Sequence, residues 1–502
     1  MCLYFQCVLL LNIKMEFKYP LPNNKLFING EFVDSVVPGN KTFKTHNPVN
    51  GKVICEIVEG FPEDVDIAVK AARKALTGPW GQMSAEDRGK IMFKLADLIE
   101  EHIEQLSYFE TLDNGKPLAA SKGYDVASSY KCIRYFAGWA DKIHGKTIPI
   151  DTSFTCFTRH EPIGVVGAIT PWNFPVMILS WKLGPSLAAG CTIVAKQSEF
   201  TPLTSLYMCE LIKKAGFPPG VFNLVNGFGH TVGNAISHHM DINKVSFTGS
   251  TRTGRLIMEA AAKSNLKKVT LELGGKSPNI VFKDVDVEFA ATNARDGLFG
   301  NMGQSCCAGS RLYVQEDIYD AFMTTFTEKV KQLKVGDPWN SEHHQGPLVS
   351  KEQHDRVLSY IEKGKSEGAT CHLGGARHGE EGYFVQPTIF TNCKEEMTIV
   401  KEEIFGPVIC VLKFKTVEEV IERANKTSYG LAAGIYTKDL SLALNVSNQL
   451  QSGSVWINDY SRIHTQIPFG GYKESGIGKD LSEYAIYDYL SVKAVTISHP
   501  NK

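Results

Sequence analysis

The spacing of apolar residues changes along the chain. From about residue 64 to 113 it follows a helical period, as at Ile91, Leu95, Leu98 and Ile99, and predicts two amphipathic helices. Between residues 164 and 301, short β-branched runs alternate with helical stretches, which is typical of βαβ units around a parallel sheet. The predicted strands are 165–169, 192–196, 221–225, 244–247 and 269–272, and the predicted helices are 202–215 and 253–263.

A second alternating region follows towards the C-terminus. It predicts strands near 311–314, 409–414 and 454–457, and a helix near 318–333. The tail 489–498 alternates like a strand, and an end strand carries unpaired edge groups that can pair with another domain or subunit. The fold is therefore predicted to be α/β, with two or three domains in 502 residues.

Composition narrows the class of protein. Hydrophobic residues make up 43% and charged residues 21%, as in soluble globular proteins. A net charge of −1 gives no electrostatic case for nucleic acid or an anionic membrane as partner. The 12 cysteines include no CxxC pair, which favours reduced thiols over a disulfide framework.

The N-terminus carries a short apolar run at residues 2–12, with no Lys or Arg before Lys14. It lacks the basic region and clear cleavage site of a secretory signal, and it is too short to span a bilayer. A mitochondrial presequence needs Arg, and the chain has none before Arg73. Met15 is an alternative start, and the protein is predicted to be cytoplasmic, with a mitochondrial location less favoured.

Two adjacent thiols, Cys306 and Cys307, closely follow a Gly-Gln pair, and Glu272 stands well before them in the chain. A thiol and a carboxylate that meet in space suit nucleophilic attack, a covalent intermediate and hydrolysis. The alternative is that the thiols are simply buried, as most cysteines are, and that Glu272 lies on a surface strand. The neighbouring pair Gly274–Gly275 counts against a surface strand, because such pairs permit close backbone approach.

Residues 245–254 indicate a strand, a turn at Gly249–Ser250 and the start of a helix. Free amides and the dipole at such a helix start suit a phosphate, although the segment is not GxGxxG and could be an ordinary loop. Lys196 and Glu199 follow another predicted strand. A carboxylate there can accept bonds from ribose hydroxyls and would repel a 2′-phosphate, which favours NAD over NADP. The alternative for Glu199 is an ordinary residue at a helix start.

Asn173 lies between Pro171 and Pro175. The prolines restrict the backbone, so the Asn173 amide is a candidate donor to an oxyanion; an ordinary turn Asn is the alternative.

Three competing motifs fail. Thr270 replaces the first Gly of a Walker A loop that would end at Gly275-Lys276-Ser277. A GxSxG match at 364–368 lies in a charged helical segment rather than at a strand-to-helix elbow. The histidine pairs 238–239 and 343–344 lack metal-ligand spacing and no HExxH occurs, so no catalytic metal is predicted.

Taken together, six motifs resemble the NAD-dependent aldehyde dehydrogenase family, specifically its class 1/class 2 cytosolic and mitochondrial branch. The resemblance covers about residues 25–498. The motifs are PWNFP (171–175), FTGST (247–251), LELGGK (271–276), GQSCC (303–307), EIFGP (403–407) and PFGGYK (468–473).

The resemblance implies three structural parts: a Rossmann-like NAD domain (15–140 and 163–274), an α/β catalytic domain (275–474) and a small β oligomerisation element (141–162 and 475–502). It implies an NAD cofactor, a small aldehyde substrate and a homotetramer, without nucleic acid or membrane partners. Cys306 would be the nucleophile, Glu272 the general base and Asn173 the oxyanion donor, with Lys182 and Asp480 as proton relay. The implied cofactor contacts are Thr170, Trp172, Lys196, Glu199, Gly229, Gly249, Ser250, Leu273, Gly274, Gln353, Glu403 and Phe405.

The sequence departs from the family pattern at several positions. Asp480 stands where the family usually has Glu, Ser305 where close relatives have Cys, and Gly300 where a bulky aromatic residue is common. The expected tunnel walls are Phe174, Ile178, Trp181, Ile463 and Phe469. Apolar walls favour aliphatic or aromatic aldehydes, and Gly300 leaves retinal-sized aldehydes open as an alternative, with esterase activity as a side reaction.

Overall fold

The computed structural model describes residues 17–499, so the apolar run at 2–12 and Met15 lie outside the described residues. The strands are β1 (Leu26–Ile28), β2 (Glu31–Val33), β3 (Thr42–His46), β4 (Val53–Val58), β5 (Thr147–Ile148), β6 (Phe154–Pro162), β7 (Val165–Ile169), β8 (Thr192–Lys196), β9 (Phe222–Leu224), β10 (Lys244–Thr248), β11 (Lys268–Glu272), β12 (Pro278–Val281), β13 (Arg311–Gln315), β14 (Thr370–Leu373), β15 (Thr388–Thr391), β16 (Val408–Phe414), β17 (Ala432–Tyr436), β18 (Ser454–Ile457), β19 (Gly476–Ile477) and β20 (Leu490–Ser498).

The α-helices are α1 (Pro62–Thr77), α2 (Pro79–Gln82), α3 (Ala85–Glu101), α4 (Ile103–Asn114), α5 (Leu118–Ala120), α6 (Ala127–Ala137), α7 (Pro175–Ala188), α8 (Leu203–Ala215), α9 (Asn234–His238), α10 (Thr251–Lys263), α11 (Val287–Phe299), α12 (Tyr319–Lys331), α13 (Lys351–Ser366), α14 (Thr398–Lys401), α15 (Val417–Asn425), α16 (Leu440–Gln449) and α17 (Ser482–Tyr487). Single π-helical turns occupy Ser121–Val126 and Gly229–Gly233.

An eight-stranded sheet holds the first half of the chain, in the order β19-β11-β10-β7-β8-β9-β1-β2. Strands β11, β10, β7, β8 and β9 run parallel, which confirms the predicted α/β fold. Every residue of β7, β8 and β10 is buried, as expected of strands covered by helices on both faces. Because these strands are parallel, the carboxyl ends of β7, β8, β10 and β11 meet at one edge of the sheet.

A seven-stranded sheet holds most of the second half, in the order β14-β15-β16-β13-β12-β17-β18. It is parallel apart from β14, which pairs antiparallel with β15 at one edge. The opposite edge strand is β18. A two-stranded sheet joins β3 and β4, and a three-stranded antiparallel sheet has the order β20-β6-β5.

The three-stranded sheet joins residues from both parts of the predicted oligomerisation element, 141–162 and 475–502. Strand β19 also lies in that predicted element, but it pairs with β11 of the eight-stranded sheet. The domain bounds as a whole stay a prediction.

The prediction of two helices between residues 64 and 113 is wrong, because the structure has four helices, α1 to α4, over this stretch. The sequence pattern concealed α4 because all residues from Leu106 to Asn114 are buried, polar ones included. A helix buried on every side has no apolar stripe against a polar face, so its periodicity is weak.

Across residues 17–499, the structure contains no helix that is both long and apolar enough to cross a membrane.

Candidate active site

Cys306 lies where two spaces meet. One is a cavity of about 250 Å³, here called the apolar cavity, whose walls include Tyr124, Phe174, Trp181 and Phe469. The other has about 240 Å³ and is here called the polar cleft. Cys306, Glu272 and Thr248 line both. A group attached to Cys306 can therefore be approached from either space.

The backbone before Cys306 is strained. Asn301 and Met302 both adopt left-handed φ values, 50° and 55°, which non-glycine residues rarely do. Gly303 follows at φ 70°, and a Cβ there would lie 2.1 Å from the carbonyl oxygen of Gly406. Gln304 is fixed in turn, because its Oε1 accepts a hydrogen bond from the backbone N–H of Val349 at 3.1 Å. This segment, residues 301–306, is here called the thiol loop, and it is held by its backbone shape and by contacts with residues distant in sequence.

Asn173 lies against this loop. Its Nδ2 donates to the carbonyl oxygen of Gln304 at 3.0 Å, and its own carbonyl oxygen accepts from Asn301 Nδ2 at 3.1 Å. The structure therefore brings the predicted oxyanion donor and the thiol loop together. An amide nitrogen carries two hydrogens, so one remains for a further acceptor.

The Cys306 thiol has a pKa held well above its usual value. The causes are its interaction with the adjacent Cys307, its burial, and the negative charges of Glu272 and Glu403. Cys307 is 2% exposed, and its carbonyl oxygen accepts a hydrogen bond from Tyr460 at 2.9 Å. Cys307 is therefore a packed neighbour of the more accessible thiol.

Glu272 ends β11 and is 5% exposed. Neither of its carboxyl oxygens has a hydrogen-bond partner among residues 17–499. Burial raises its pKa well above the usual value, the charge of Asp480 raises it further, and Lys182 opposes the shift. A buried carboxylate with a raised pKa binds a proton more readily than an exposed one, so it is suited to accept a proton at near-neutral pH.

Lys182 and Asp480, the predicted relay residues, form a buried ion pair at 2.5 Å. The backbone of Asp480 pairs reciprocally with that of Phe469, which lines the apolar cavity. Both charges of this pair act on the Glu272 carboxyl: Asp480 raises its pKa and Lys182 lowers it. Lys182 lies on α7, and Asp480 lies just before α17.

Most predicted cofactor residues share one continuous surface. The polar cleft is lined by Trp172, Gly249, Ser250, Leu273, Gly274, Gln353, Glu403 and Phe405. It adjoins a groove of about 960 Å³, lined in part by Gly229, Ser250 and Glu403. Thr170, Lys196 and Glu199 line neither space; Lys196 pairs with Glu199 at 3.1 Å, and Thr170 Oγ1 lies 2.5 Å from Gln197 Oε1.

The groups along the cleft suit a nucleotide. Ser250 caps α10 by accepting from Thr253 N–H at 3.2 Å, and Gly249 and Ser250 line the cleft. The helix therefore begins at the cleft, where the positive end of its dipole suits a phosphate. Burial raises the pKa of Glu403 to about 7, and its Oε1 accepts from Gly275 N–H at 3.0 Å. A Cβ at Gly274 would lie 2.2 Å from Glu403 Oε2, so only glycine at this position leaves room for the Glu403 carboxyl.

Several residues that line the site were not predicted from the sequence, and four of them show why. Thr248 lines both spaces and stands in the FTGST motif, so that motif was the available signal. Arg356 lines the cleft and the groove, and Lys116 lines the apolar cavity. Asn301 borders the apolar cavity as well. The last three carry no local signal, because their roles depend on contacts made by the fold.

Comparison with known proteins agrees with this geometry. Residues 36–495 match the model of the aldehyde dehydrogenase family. The chain is 54% identical over 492 residues to the mitochondrial aldehyde dehydrogenase of Homo sapiens, covering 96% of this chain and 95% of that protein. It is 55% identical over 478 residues to an aldehyde dehydrogenase of Aspergillus niger, with 95% of each covered. The NAD+ complex of a Bacillus cereus aldehyde dehydrogenase superposes with a TM-score of 0.93 at 52% identity, covering 94% of this chain and 96% of that one.

The two thiols should differ in reactivity. Iodoacetamide should alkylate Cys306 before Cys307, because Cys307 is almost fully buried. Replacing Cys307 by Ala removes the largest cause of the raised Cys306 pKa, so more thiolate forms at a given pH and alkylation of Cys306 should be faster. Peptide mapping of the alkylated protein between pH 6 and 9 measures both effects, with Cys371→Ala as the control. Preferential labelling of Cys307 would contradict this assignment.

Proposed function

The chain belongs to the aldehyde dehydrogenase family and is an NAD-dependent enzyme, and we propose that it oxidises apolar aldehydes to carboxylic acids through a thioester on Cys306. The observation that carries the proposal is the position of Cys306 between the apolar cavity and the polar cleft. An aldehyde entering from one side can be attacked by the thiol while a cofactor approaches from the other.

The polar cleft and its adjoining groove would hold NAD. The start of α10 at Ser250 would bind the pyrophosphate, and the half-buried Glu403 would bind the ribose next to the nicotinamide. Glu199, just beyond the end of β8, would accept from the adenosine ribose hydroxyls. When bound, NAD accepts the hydride that leaves the substrate carbon.

In the acylation half-reaction, the Cys306 sulfur bonds to the aldehyde carbon and the carbonyl oxygen becomes an oxyanion. Asn173 Nδ2 lies beside the thiol loop, and its second hydrogen is the donor that would stabilise this oxygen. One such donor is typically worth about 3 kcal/mol of transition-state stabilisation. Loss of hydride from the same carbon leaves a thioester on Cys306.

In the deacylation half-reaction, Glu272 takes a proton from water, and the hydroxide attacks the thioester. The raised pKa of Glu272 makes it a base strong enough for this step once it is deprotonated. The proton would pass towards the buried Lys182–Asp480 pair. Asp480 is one methylene shorter than the usual Glu, which affects the rate of this transfer and not the reaction.

The proposed chemistry predicts different defects for two variants. With NAD and propanal, the wild-type protein should form NADH, and Cys306→Ala should form none because no covalent intermediate can arise. Glu272→Gln should still give a burst of NADH but turn over slowly, because acyl-enzyme accumulates when water is not activated. Rapid mixing with absorbance at the NADH band, and mass spectrometry of the trapped acyl-enzyme, measure this.

Cys371→Ala, a partly exposed cysteine outside both spaces, is the control and should keep wild-type turnover. Full dehydrogenase activity in Cys306→Ala would refute the mechanism. Hydrolysis of a chromogenic ester in the absence of NAD tests the side esterase activity, which should also be lost in Cys306→Ala.

The apolar cavity supports a substrate with an apolar body. Its wall combines Phe174, Ile178, Trp181, Ile463 and Phe469. Of the acidic and basic residues that also line it, Lys116 pairs with Asp125 and Asp296 pairs with Arg295, which leaves Glu272, the proposed base. Gly300 also lines the cavity, and a Cβ added there would meet nothing within 4 Å. The absence of a side chain leaves room on this side, so larger aldehydes of retinal size are the alternative substrate class.

Filling the space at Gly300 should separate small from large substrates. Gly300 has φ −51° and ψ 138°, a conformation open to any residue, so Gly300→Phe is expected to fold. The variant should keep kcat/KM for propanal within a few-fold of the wild-type value. For aldehydes of ten or more carbons kcat/KM should fall by roughly tenfold or more, because the added ring occupies space that only the longer substrates need. Gly300→Ala is the matched control. Equal effects on short and long aldehydes would argue against this wall as the determinant of size.

The edge strands support the proposed homotetramer. Strand β20 lies at the edge of its sheet, and Val492 and Ile497 on it are 64% and 47% exposed. Strand β18 ends the seven-stranded sheet. Exposed apolar edges of this kind are usually covered in the native assembly.

Charges on β20 should therefore disturb assembly. The Val492→Asp/Ile497→Asp variant is expected to elute as a smaller species than wild type, because like charges cannot be buried in a strand interface. Gel filtration with light scattering measures the mass. Val36→Asp, at a site 56% exposed elsewhere, is the control and should keep the wild-type mass. A wild-type protein that is already monomeric would contradict the proposal.

The cytosol is the proposed location. The cysteines support it, because all of those among residues 17–499 are free thiols, as expected in a reducing compartment. Relatives from Homo sapiens and Rattus norvegicus are mitochondrial, which makes the mitochondrion the alternative.

A further inference from the structure

A buried ion cluster lies under the turn that carries Asn173. Lys116, Glu110 and Asp125 are each no more than 1% exposed. Lys116 Nζ forms a short contact with Asp125 Oδ2, lies 3.6 Å from Glu110 Oε1, and stands 4.4 Å from the centre of the Phe174 ring. Burying an ammonium group is costly unless it is paired and hydrogen-bonded, so such a cluster requires an explanation.

The third partner of Lys116 is the candidate oxyanion residue itself. Lys116 Nζ donates to the carbonyl oxygen of Asn173 at 2.8 Å. The same oxygen accepts from Asn301 Nδ2 on the thiol loop at 3.1 Å. The backbone of Asn173 is therefore clamped from one side by the cluster and from the other by the loop that carries Cys306.

Neighbouring residues of α4 hold the same turn. Asn114 Nδ2 donates to the carbonyl oxygen of Trp172 at 2.7 Å, and Glu110 Oε2 accepts from Val176 N–H at 3.4 Å. Gly115 ends α4 in the left-handed conformation at φ 87°, where a Cβ would lie 2.7 Å from Pro48 Cγ. This reversal turns the chain so that Lys116 points back at the turn.

The charges of the cluster are balanced around Lys116. Burial raises the pKa of Glu110 well above its usual value, and the neighbouring Asp125 adds to the rise. The short contact with Asp125 Oδ2 makes Asp125 the nearest counter-ion of Lys116, although burial raises the pKa of Asp125 as well. The pair Lys116–Asp125 borders the apolar cavity, but each side chain is occupied by the other.

Resting on the proposed function, we propose that Lys116 is a positioning residue for the acylation step, and that it acts only through the backbone of Asn173. Asp125 holds the Lys116 ammonium group in place, and the two contacts to the Asn173 carbonyl oxygen fix the Asn173 amide where the oxyanion forms. A misplacement of about 1 Å in such a group can slow a reaction by roughly a hundredfold.

The test is a double-mutant cycle on the acylation rate. Lys116→Met/Asp125→Asn removes both charges together, so no uncompensated ion is buried and the protein is expected to fold. Its single-turnover NADH burst with propanal should be roughly tenfold to a hundredfold slower than wild type. The dissociation constant for NAD, measured by fluorescence, should stay within about twofold because the cluster does not line the polar cleft.

The same pair of substitutions should have little further effect in an Asn173→Ala background, because the group that the clamp positions is already missing. Lys267→Met, a buried lysine bonded to Ser237 O at 2.7 Å and outside the apolar cavity, is the matched control and should keep the wild-type burst. Thermal melting of each variant shows that loss of rate is not loss of fold.

Two results would overturn the inference while the proposed function stands: an unchanged burst in the folded double variant, or an equal slowing with and without Asn173. A wild-type protein that gives no burst, or a Cys306→Ala variant that keeps one, would overturn the proposed function and this inference with it.

Discussion

Burial of the Glu272 carboxyl, which has no hydrogen-bond partner among residues 17–499, is the constraint on which the rest of the site depends. A carboxylate in that position is destabilised, and its pKa rises in consequence. The proposed mechanism requires this position, because β11 must end beside Cys306 for Glu272 to reach a water next to the proposed thioester. Gly470 allows the close packing, since a Cβ there would lie 2.5 Å from Glu272 Oε1. The neighbouring Lys182 keeps the deprotonated form accessible.

Three segments far apart in sequence converge on this carboxyl, and each is held by a different physical device. The end of β11 is fixed by the parallel sheet, with Glu272 in register with Thr248 of β10. The thiol loop is fixed by two left-handed residues, Asn301 and Met302, at a cost on the order of 1–3 kcal/mol each. The Asn173 turn is fixed from beneath by α4. The thiol loop and the Asn173 turn also bond to each other, through Asn173 Nδ2 to Gln304 O and Asn301 Nδ2 to Asn173 O, so neither loop has to hold its shape by itself.

Sequence reasoning predicted the parts that have a local signature. The strands of the parallel sheet were predicted because β-branched runs such as 165–169 and 192–196 are apolar almost throughout, as fully buried strands must be. The thiol, the base and the Gly249–Ser250 helix start were predicted from residue type and setting. Helix α4 was not predicted as a separate helix, because its buried polar residues remove the amphipathic pattern. Lys116 and Arg356 could not be predicted, because a lysine or arginine in a polar stretch has no sign of its partners until the chain has folded.

The two buried lysines near the reacting centre clarify what makes a carboxyl a base. Lys182 has Glu272 and Asp480 as neighbours, and Lys116 has Glu110 and Asp125. In both clusters one lysine faces two carboxyls, and burial raises the pKa of Glu272 in the first cluster and of both Glu110 and Asp125 in the second. The difference lies in access and bonding. Glu110 accepts from Val176 N–H and is closed off within helices, whereas Glu272 has no donor among residues 17–499 and borders both spaces at Cys306. The same arrangement of charges therefore leaves an enclosed, hydrogen-bonded carboxyl at Glu110 and an accessible carboxyl at Glu272, which suits the proposed role of Glu272 as the base for water.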